Sequence, residues 1–236
     1  MNVKKNISLL HPTVKNMRNM SFVENEFYHV FNRGVEKRDI FLDIHDLHRF
    51  CESMDAFNQV KNIGSLRDNS KLKKNRRRAS GDLAQEKLVN FIAYCANQNH
   101  FHFILEQVTK KGVEKFMHKL GTGYSKYFNA KYKRSGSLFQ GKFKAKHVDS
   151  NDYLLHLSAY VNLNNKAHEE STESKLKLSR SSWDEYNGKE PLEICRKEVI
   201  LGQFKNKQEY VAFAESSLLD IVRRKENLKD LEELIK

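Results

Sequence analysis

The stretch from Leu88 to Gln107 constrains this chain more than any other. LVNFIAYCA (Leu88 to Ala96) and HFHFILEQ (His100 to Gln107) are two strand-like apolar runs separated only by the turn residues Asn97 to Asn99. So short a polar gap between two such runs predicts an antiparallel hairpin. Successive side chains of a strand point to opposite faces. His100 and His102 therefore share one face, while Phe101 and Phe103 turn into the core behind them. An H-x-H pair of this kind is a two-pronged metal claw, although by itself it also fits a half-exposed polar strand face. Other ligands have to decide between the two.

The flanking sequence supplies the rest of an α+β fold. Phe27 to Arg33, FYHVFNR, reads as a first strand ending in a turn at Gly34. Apolar residues at helical spacing (Ile44, Leu47, Phe50, Cys51, Met54, Phe57) predict a helix from Asp43, its N-cap, to about Lys61. A second helix is predicted from Gly112 to about Tyr132, locally weakened by Gly121 and Gly123. An alternating strand follows from about Lys142. A further helix runs from Asp152 to Leu163, with Asp149, Ser150 or Asn151 as its cap. The order β-α-β-β-α-β-α is ferredoxin-like: an antiparallel sheet with helices on one face and an extra helix behind it. Residues 1–24 read as a loose arm, 25–168 as the main domain, and 169–236 as a mostly helical C-terminal appendage. The last holds amphipathic segments at about Asn206 to Ala214 and from Ser216 onward.

Charge narrows the partners. The chain has 236 residues and a net charge of +12, from 42 Lys and Arg against 30 Asp and Glu. Such an excess favours a polyanion, nucleic acid first. KLKKNRRR, Lys71 to Arg78, places six basic residues in eight within a polar insert at about 65–85, which reads as a solvated loop able to meet phosphates. No apolar run reaches membrane-spanning length and no secretory leader pattern opens the chain, so a cytoplasmic protein with no membrane partner is expected. Cys51, Cys95 and Cys195 are too scattered for a disulfide framework and read as buried thiols.

On the last helix of the core, His156, Tyr160 and Asn164 are spaced four apart and line one face. On an isolated helix that pattern would be ordinary packing. Beside an H-x-H strand, Tyr160 and Asn164 can instead face the claw. With FYHVFNRG, NQNHFHFILEQ, YSKYFNAKYKRSGSLFQGKFKAKHV, DYLLHLSAYVNLNNKA, SSWDEYNG and ILGQFKNKQEYVAFAE, the chain resembles the IS200-like transposases and their REP-associated tyrosine transposase relatives, single-tyrosine members of the HUH endonucleases. The resemblance runs over about residues 25–217 and is interrupted mainly by the basic insert.

That resemblance implies His100, His102 and Asn164 as metal ligands and Tyr160 as the nucleophile, with Mg²⁺ or Mn²⁺ as cofactor. It implies a single-stranded DNA endonuclease and strand transferase that forms a 5′-phosphotyrosine intermediate on hairpin-forming DNA. Both a homodimer and a monomer are compatible with it. The chain departs from the family at Asn165, where a proline is usual, at Gln98 in the usual Pro-Asn turn, and at His156, where an acidic residue is common. His156 is therefore a rival third ligand. Arg33, Arg134, Lys142 and Lys144, on expected strand ends or turns, are candidate contacts to the DNA backbone. A non-catalytic hairpin DNA- or RNA-binding protein and a nuclease using water are the competing readings.

Overall fold

The computed structural model describes residues 21–61, 86–166, 178–189 and 193–218. The basic run 71–78 lies outside them. Five strands form one antiparallel sheet: β1 (Phe27–Arg33), β2 (Val89–Asn97), β3 (His100–Gln107), β4 (Lys144–His147) and β5 (Arg180–Ser181), in the order β4-β1-β3-β2-β5. The first four follow the ferredoxin-like order, with β5 added along the edge of β2. The histidine strand β3 is thus central, paired on both sides.

Helices α1 (Ile44–Ala56) and α2 (Gly112–Lys131) pack together on one face of the sheet, as expected. Asp43 caps α1 in a reciprocal box with Asp46. Asp46 is fully buried and is tied to α2 by Lys131 Nζ at 2.7 Å and by the Tyr127 and Tyr132 hydroxyls at 3.0 and 2.7 Å. The core beneath is aromatic, with Phe50, Phe91, Phe101, Phe103, Phe116 and Tyr124 in edge, stacked or tilted ring contacts.

Neither Gly121 nor Gly123 breaks α2. A Cβ on Gly123 would lie 2.6 Å from the Phe57 ring, so this glycine admits the end of α1 against the helix. Gly112 has the same use at the other end, since a Cβ there would lie 2.1 Å from the Leu88 carbonyl oxygen.

Helix α3 (Asn151–Asn162), capped by Ser150, covers the opposite face of the sheet and is followed by a 3₁₀ turn at Asn164–Lys166. Short helices α4 (Trp183–Tyr186) and α5 (Glu198–Leu201) and the helical residues 207–218 complete a second core around Ile92, Ile104, Leu157, Trp183, Tyr186 and Tyr210. The boundary expected near residue 215 is absent, because 207–218 is one continuous helix as far as it is described. Strand β4 is shorter than the alternation from Lys142 suggested, beginning at Lys144.

A β-bulge between Phe91 and Ala93 changes the phase of β2. Before it, Phe91 faces the aromatic core. After it, Tyr94 and Ala96 do so, while Cys95 and Asn97 turn to the α3 side. The chain then turns through Gln98 and Asn99, whose carbonyl oxygens accept from the backbone N–H groups of Ile40, Phe41 and Gly34.

Candidate active site

On the α3 face of the sheet, alternation brings out His100, His102, Ile104 and Glu106 from β3 and His29, Phe31 and Arg33 from β1. Phe31 lies opposite His102, and Arg33 opposite His100. The His100 and His102 rings lie 5.2 Å apart and nearly perpendicular. Phe101 and Phe103 are buried behind them, as the pattern predicted.

Each histidine has its Nδ1 engaged. His100 Nδ1 donates to Asn99 Oδ1 at 2.6 Å, which leaves a lone pair on Nε2. Asn97 Nδ2 donates to that lone pair at 3.0 Å. His102 Nδ1 lies 3.0 Å from His29 Nε2. Burial first, and the nearby Lys146 charge second, push the pKa of His29 down to about 3, so it is a neutral ring that can accept from His102. A partner on Nδ1 is what fixes the tautomer and ring orientation of a ligating histidine.

Helix α3 brings Tyr160 to this face. Its ring stands edge-on to His102 at 5.6 Å between centroids and to His29 at 6.4 Å. Burial raises the Tyr160 pKa, partly opposed by the Asn164 amide, so at neutral pH it is a phenol. One turn on, Asn164 is fully buried and its Oδ1 lies 3.3 Å from His100 Nε2. Asn97 Nδ2 donates to the same oxygen at 2.7 Å. Asn164 Nδ2 is buried with no hydrogen-bond partner among the described residues.

The donor set suits a divalent ion. Two ligands about 2.1 Å from an ion and at right angles lie about 3.0 Å apart, close to the observed separation of His100 Nε2 and Asn164 Oδ1. His102 is the third candidate. Among the described residues no group of three or more His, Cys, Asp or Glu could hold a metal, and the third protein donor beside the two histidines is the Asn164 amide.

His156 is placed elsewhere. Its Nδ1 is 3.3 Å from Ser217 Oγ, its ring is 5.0 Å from Phe213, and Asp152 is 3.9 Å away. It faces the 207–218 helix, not the histidine pair. Tyr153 is buried beneath Lys146, whose Nζ lies 4.5 Å from the ring centroid. Tyr124, Tyr127 and Tyr132 are engaged with Ile40 and Asp46.

The four basic candidates separate onto two surfaces. Arg33 lies beside His100 and bonds Gln140. Lys144 flanks the core-facing Ala145 and so shares the histidine face of β4. Lys142 lines a groove of about 1070 Å³ between α2 and the 137–145 segment, with Phe22, Phe143, Asn32 and Lys126. Arg134 is held near it by Asn129, over the Phe128 ring. Sequence reading missed His29, Asn97 and Lys146. The FYHV alternation could have placed His29 on the histidine face, and the KAKH alternation Lys146.

Residues 61–164 match the family model described as "Transposase IS200 like". The resemblance to the IS200-like transposases is shown over that segment. It contains the H-x-H strand, Tyr160 and Asn164 together. A solved structure described as "Structure of the REP associates tyrosine transposase bound to a REP hairpin" is similar at 11% identity and a TM-score of 0.43, covering 75% of this chain and 89% of its own. No curated protein sequence matches. Among the described residues no helix is long and apolar enough to cross a membrane.

Proposed function

We propose that the protein is a transposase-like endonuclease and strand transferase acting on single-stranded, hairpin-forming DNA, with Tyr160 as nucleophile and His100, His102 and Asn164 holding Mg²⁺ or Mn²⁺. The observation that carries this reading is the convergence on one sheet face of the Tyr160 ring, the two histidines and the Asn164 amide oxygen.

The Tyr160 hydroxyl attacks the phosphorus of a phosphodiester. A bond forms from its oxygen to phosphorus and the bond to the 3′ oxygen breaks. The phenolic proton is lost and the leaving 3′ oxygen gains one, so the products are a 5′-phosphotyrosine and a free 3′-OH, with no co-reactant. Because the phosphoester is conserved, a second 3′-OH can reverse the attack and rejoin strands. A raised pKa makes the phenol a poor nucleophile on its own. A divalent ion held by His100, His102 and Asn164 would supply Lewis-acid polarisation of the phosphate oxygens. His29 and Asn99 hold the two histidine rings in place, and the Asn164 amide opposes the rise that burial imposes on the Tyr160 pKa. Arg33, Lys144 and Lys146, on the same face, are suited to the flanking backbone phosphates, and the groove beside Lys142 to unpaired bases or their phosphates.

The test is Tyr160→Phe, which removes only the hydroxyl. With 3′-labelled single-stranded hairpins and Mn²⁺, wild type should give a protein-linked band on a denaturing gel. The variant should bind DNA as before and give neither adduct nor cleavage, while Tyr153→Phe retains both. Undiminished cleavage by Tyr160→Phe, with no adduct in wild type, would make water the nucleophile.

A further inference from the structure

In the sequence Asn97 reads only as the first residue of the hairpin turn, yet its side chain sits at the centre of the site. It ends β2 directly opposite His100 and is 7% exposed. Its Nδ2 lies 2.7 Å from Asn164 Oδ1 and 3.0 Å from His100 Nε2, and those two atoms are 3.3 Å from each other. Three atoms at these separations form a triangle whose edges match one face of a coordination octahedron, about 3.0 Å for bonds of about 2.1 Å. Two corners are candidate ligands. The third is an N–H donor that bridges them.

An N–H group cannot face a cation. An ion held by His100 Nε2 and Asn164 Oδ1 therefore conflicts with Asn97 as it is oriented here. Half a turn about χ2 removes the conflict by placing Oδ1 where Nδ2 lies. The two ends of an amide are nearly equal in size, so the buried pocket accepts the reversal without repacking. The far end also keeps a partner. Cys95 Sγ, 3.5 Å from Asn97 Oδ1, donates to it now and would accept from Nδ2 afterwards.

We propose that Asn97 is a further protein ligand of the divalent ion: its amide bridges His100 and Asn164 in the orientation seen here and reverses to give Oδ1 to the ion on loading. This rests on the metal assignment made above for the same site. The consequence is a site with two amide oxygens and two imidazoles, which leaves fewer coordination positions for water than the three-ligand set does.

Mn²⁺ alone is the probe, titrated into the full-length protein by calorimetry, with bound inner-sphere water followed by water-proton relaxation. Asn97→Ala should weaken Mn²⁺ binding by about tenfold and raise the relaxivity of the bound ion, because water replaces the amide. Asn97→Asp, nearly isosteric, should bind Mn²⁺ more tightly than wild type. Unchanged affinity and relaxivity in Asn97→Ala would overturn the proposal, as would weaker binding with unchanged relaxivity, which places Asn97 outside the coordination shell. Wild-type protein with its asparagine side-chain carbonyls labelled with a magnetic carbon isotope answers the question without a substitution. Two amide carbons coupled to Mn²⁺ are expected, and one alone refutes it. Failure of wild type to bind Mn²⁺, or binding unaffected by His100→Ala, would instead remove the metal site itself and Asn97 with it.

Discussion

Tyr210→Phe removes one oxygen from the polar network that holds α3 against the rest of the molecule. Tyr210 is fully buried; its hydroxyl accepts from Asn162 Nδ2 at 2.7 Å and lies 3.1 Å from Ser158 Oγ, which itself donates to the Leu155 carbonyl. The Asn162 side chain continues to Ser182 and, through it, to the Tyr94 backbone. Phenylalanine keeps the ring contacts with Trp183, Tyr186, Phe204 and Phe213. The loss is therefore the hydrogen bond to Ser158 and one orphaned donor on fully buried Asn162, of which the orphaned donor dominates and costs about 1–3 kcal/mol. For a chain of this size that lowers Tm by roughly 2–12 °C. Differential scanning fluorimetry and urea titration measure it. In a cycle with Asn162→Leu the two substitutions should couple by about 1–2 kcal/mol. Ser158 and Asn162 bracket Tyr160 on the other side of its helix, so the rate of adduct formation should fall as well. An unchanged Tm, or strict additivity in the cycle, would refute this account of the clamp.

His29→Phe should weaken Mn²⁺ binding by about 10–100-fold, because His102 loses the group that fixes its ring. His29→Gln, which retains an acceptor, should recover part of that in calorimetry, and equal losses in the two variants would count against an orienting role. Asp46 titrates in the opposite sense from an ordinary buried acid. Burial alone would raise its pKa, but hydrogen bonds from Lys131, Tyr132, the Leu42 amide and Tyr127 outweigh it and hold the carboxyl below its usual value. The unfolded chain therefore takes up this proton first, and the stabilisation, complete above about pH 5, is lost as pH falls through the depressed folded value. Asp46→Asn should flatten the acid limb of a plot of urea midpoint against pH, and an unaltered limb would exclude the network as its source. Hairpin affinity should fall steeply with salt, and deleting 71–78 should reduce that slope alike for all hairpin sequences in fluorescence anisotropy. Loss of preference for hairpins on that deletion would show the insert reading structure.

The parts of the molecule legible in the sequence are those that strict periodicity controls. Alternation through His100-Phe101-His102 gave the strand face correctly because β3 is regular throughout and paired on both sides. Spacing by four put Tyr160 and Asn164 on that side of α3, although Asn164 lies in the 3₁₀ turn beyond the helix end. Asn97 was not legible, because simple alternation from Phe91 turns it into the aromatic core and only the bulge reverses that phase. The engagement of His156 with Ser217 and Phe213 depends on a contact across 61 residues, and no local pattern encodes it. The same holds for the Tyr210 clamp, since an amphipathic segment announces a buried face without saying what covers it.

The two halves of the site are held with unequal rigidity. The histidines stand on the central strand of the sheet, with aromatic core packed behind them and the hairpin turn fixed by three backbone hydrogen bonds from residues 34–41. Fixing them needs nothing beyond the ferredoxin-like core. Tyr160 stands on a helix that covers the histidine face of the sheet, opposite the aromatic core, where residues 180–189 and 193–218 supply much of the packing and the polar bridge through Tyr210 and Ser182. Substitutions in that C-terminal layer should therefore move the nucleophile relative to the histidine pair more readily than they disturb the pair itself. The kinetic signature is separable: changes around Tyr210 lower adduct formation while Mn²⁺ affinity holds, and changes at His29 or Asn97 do the reverse first.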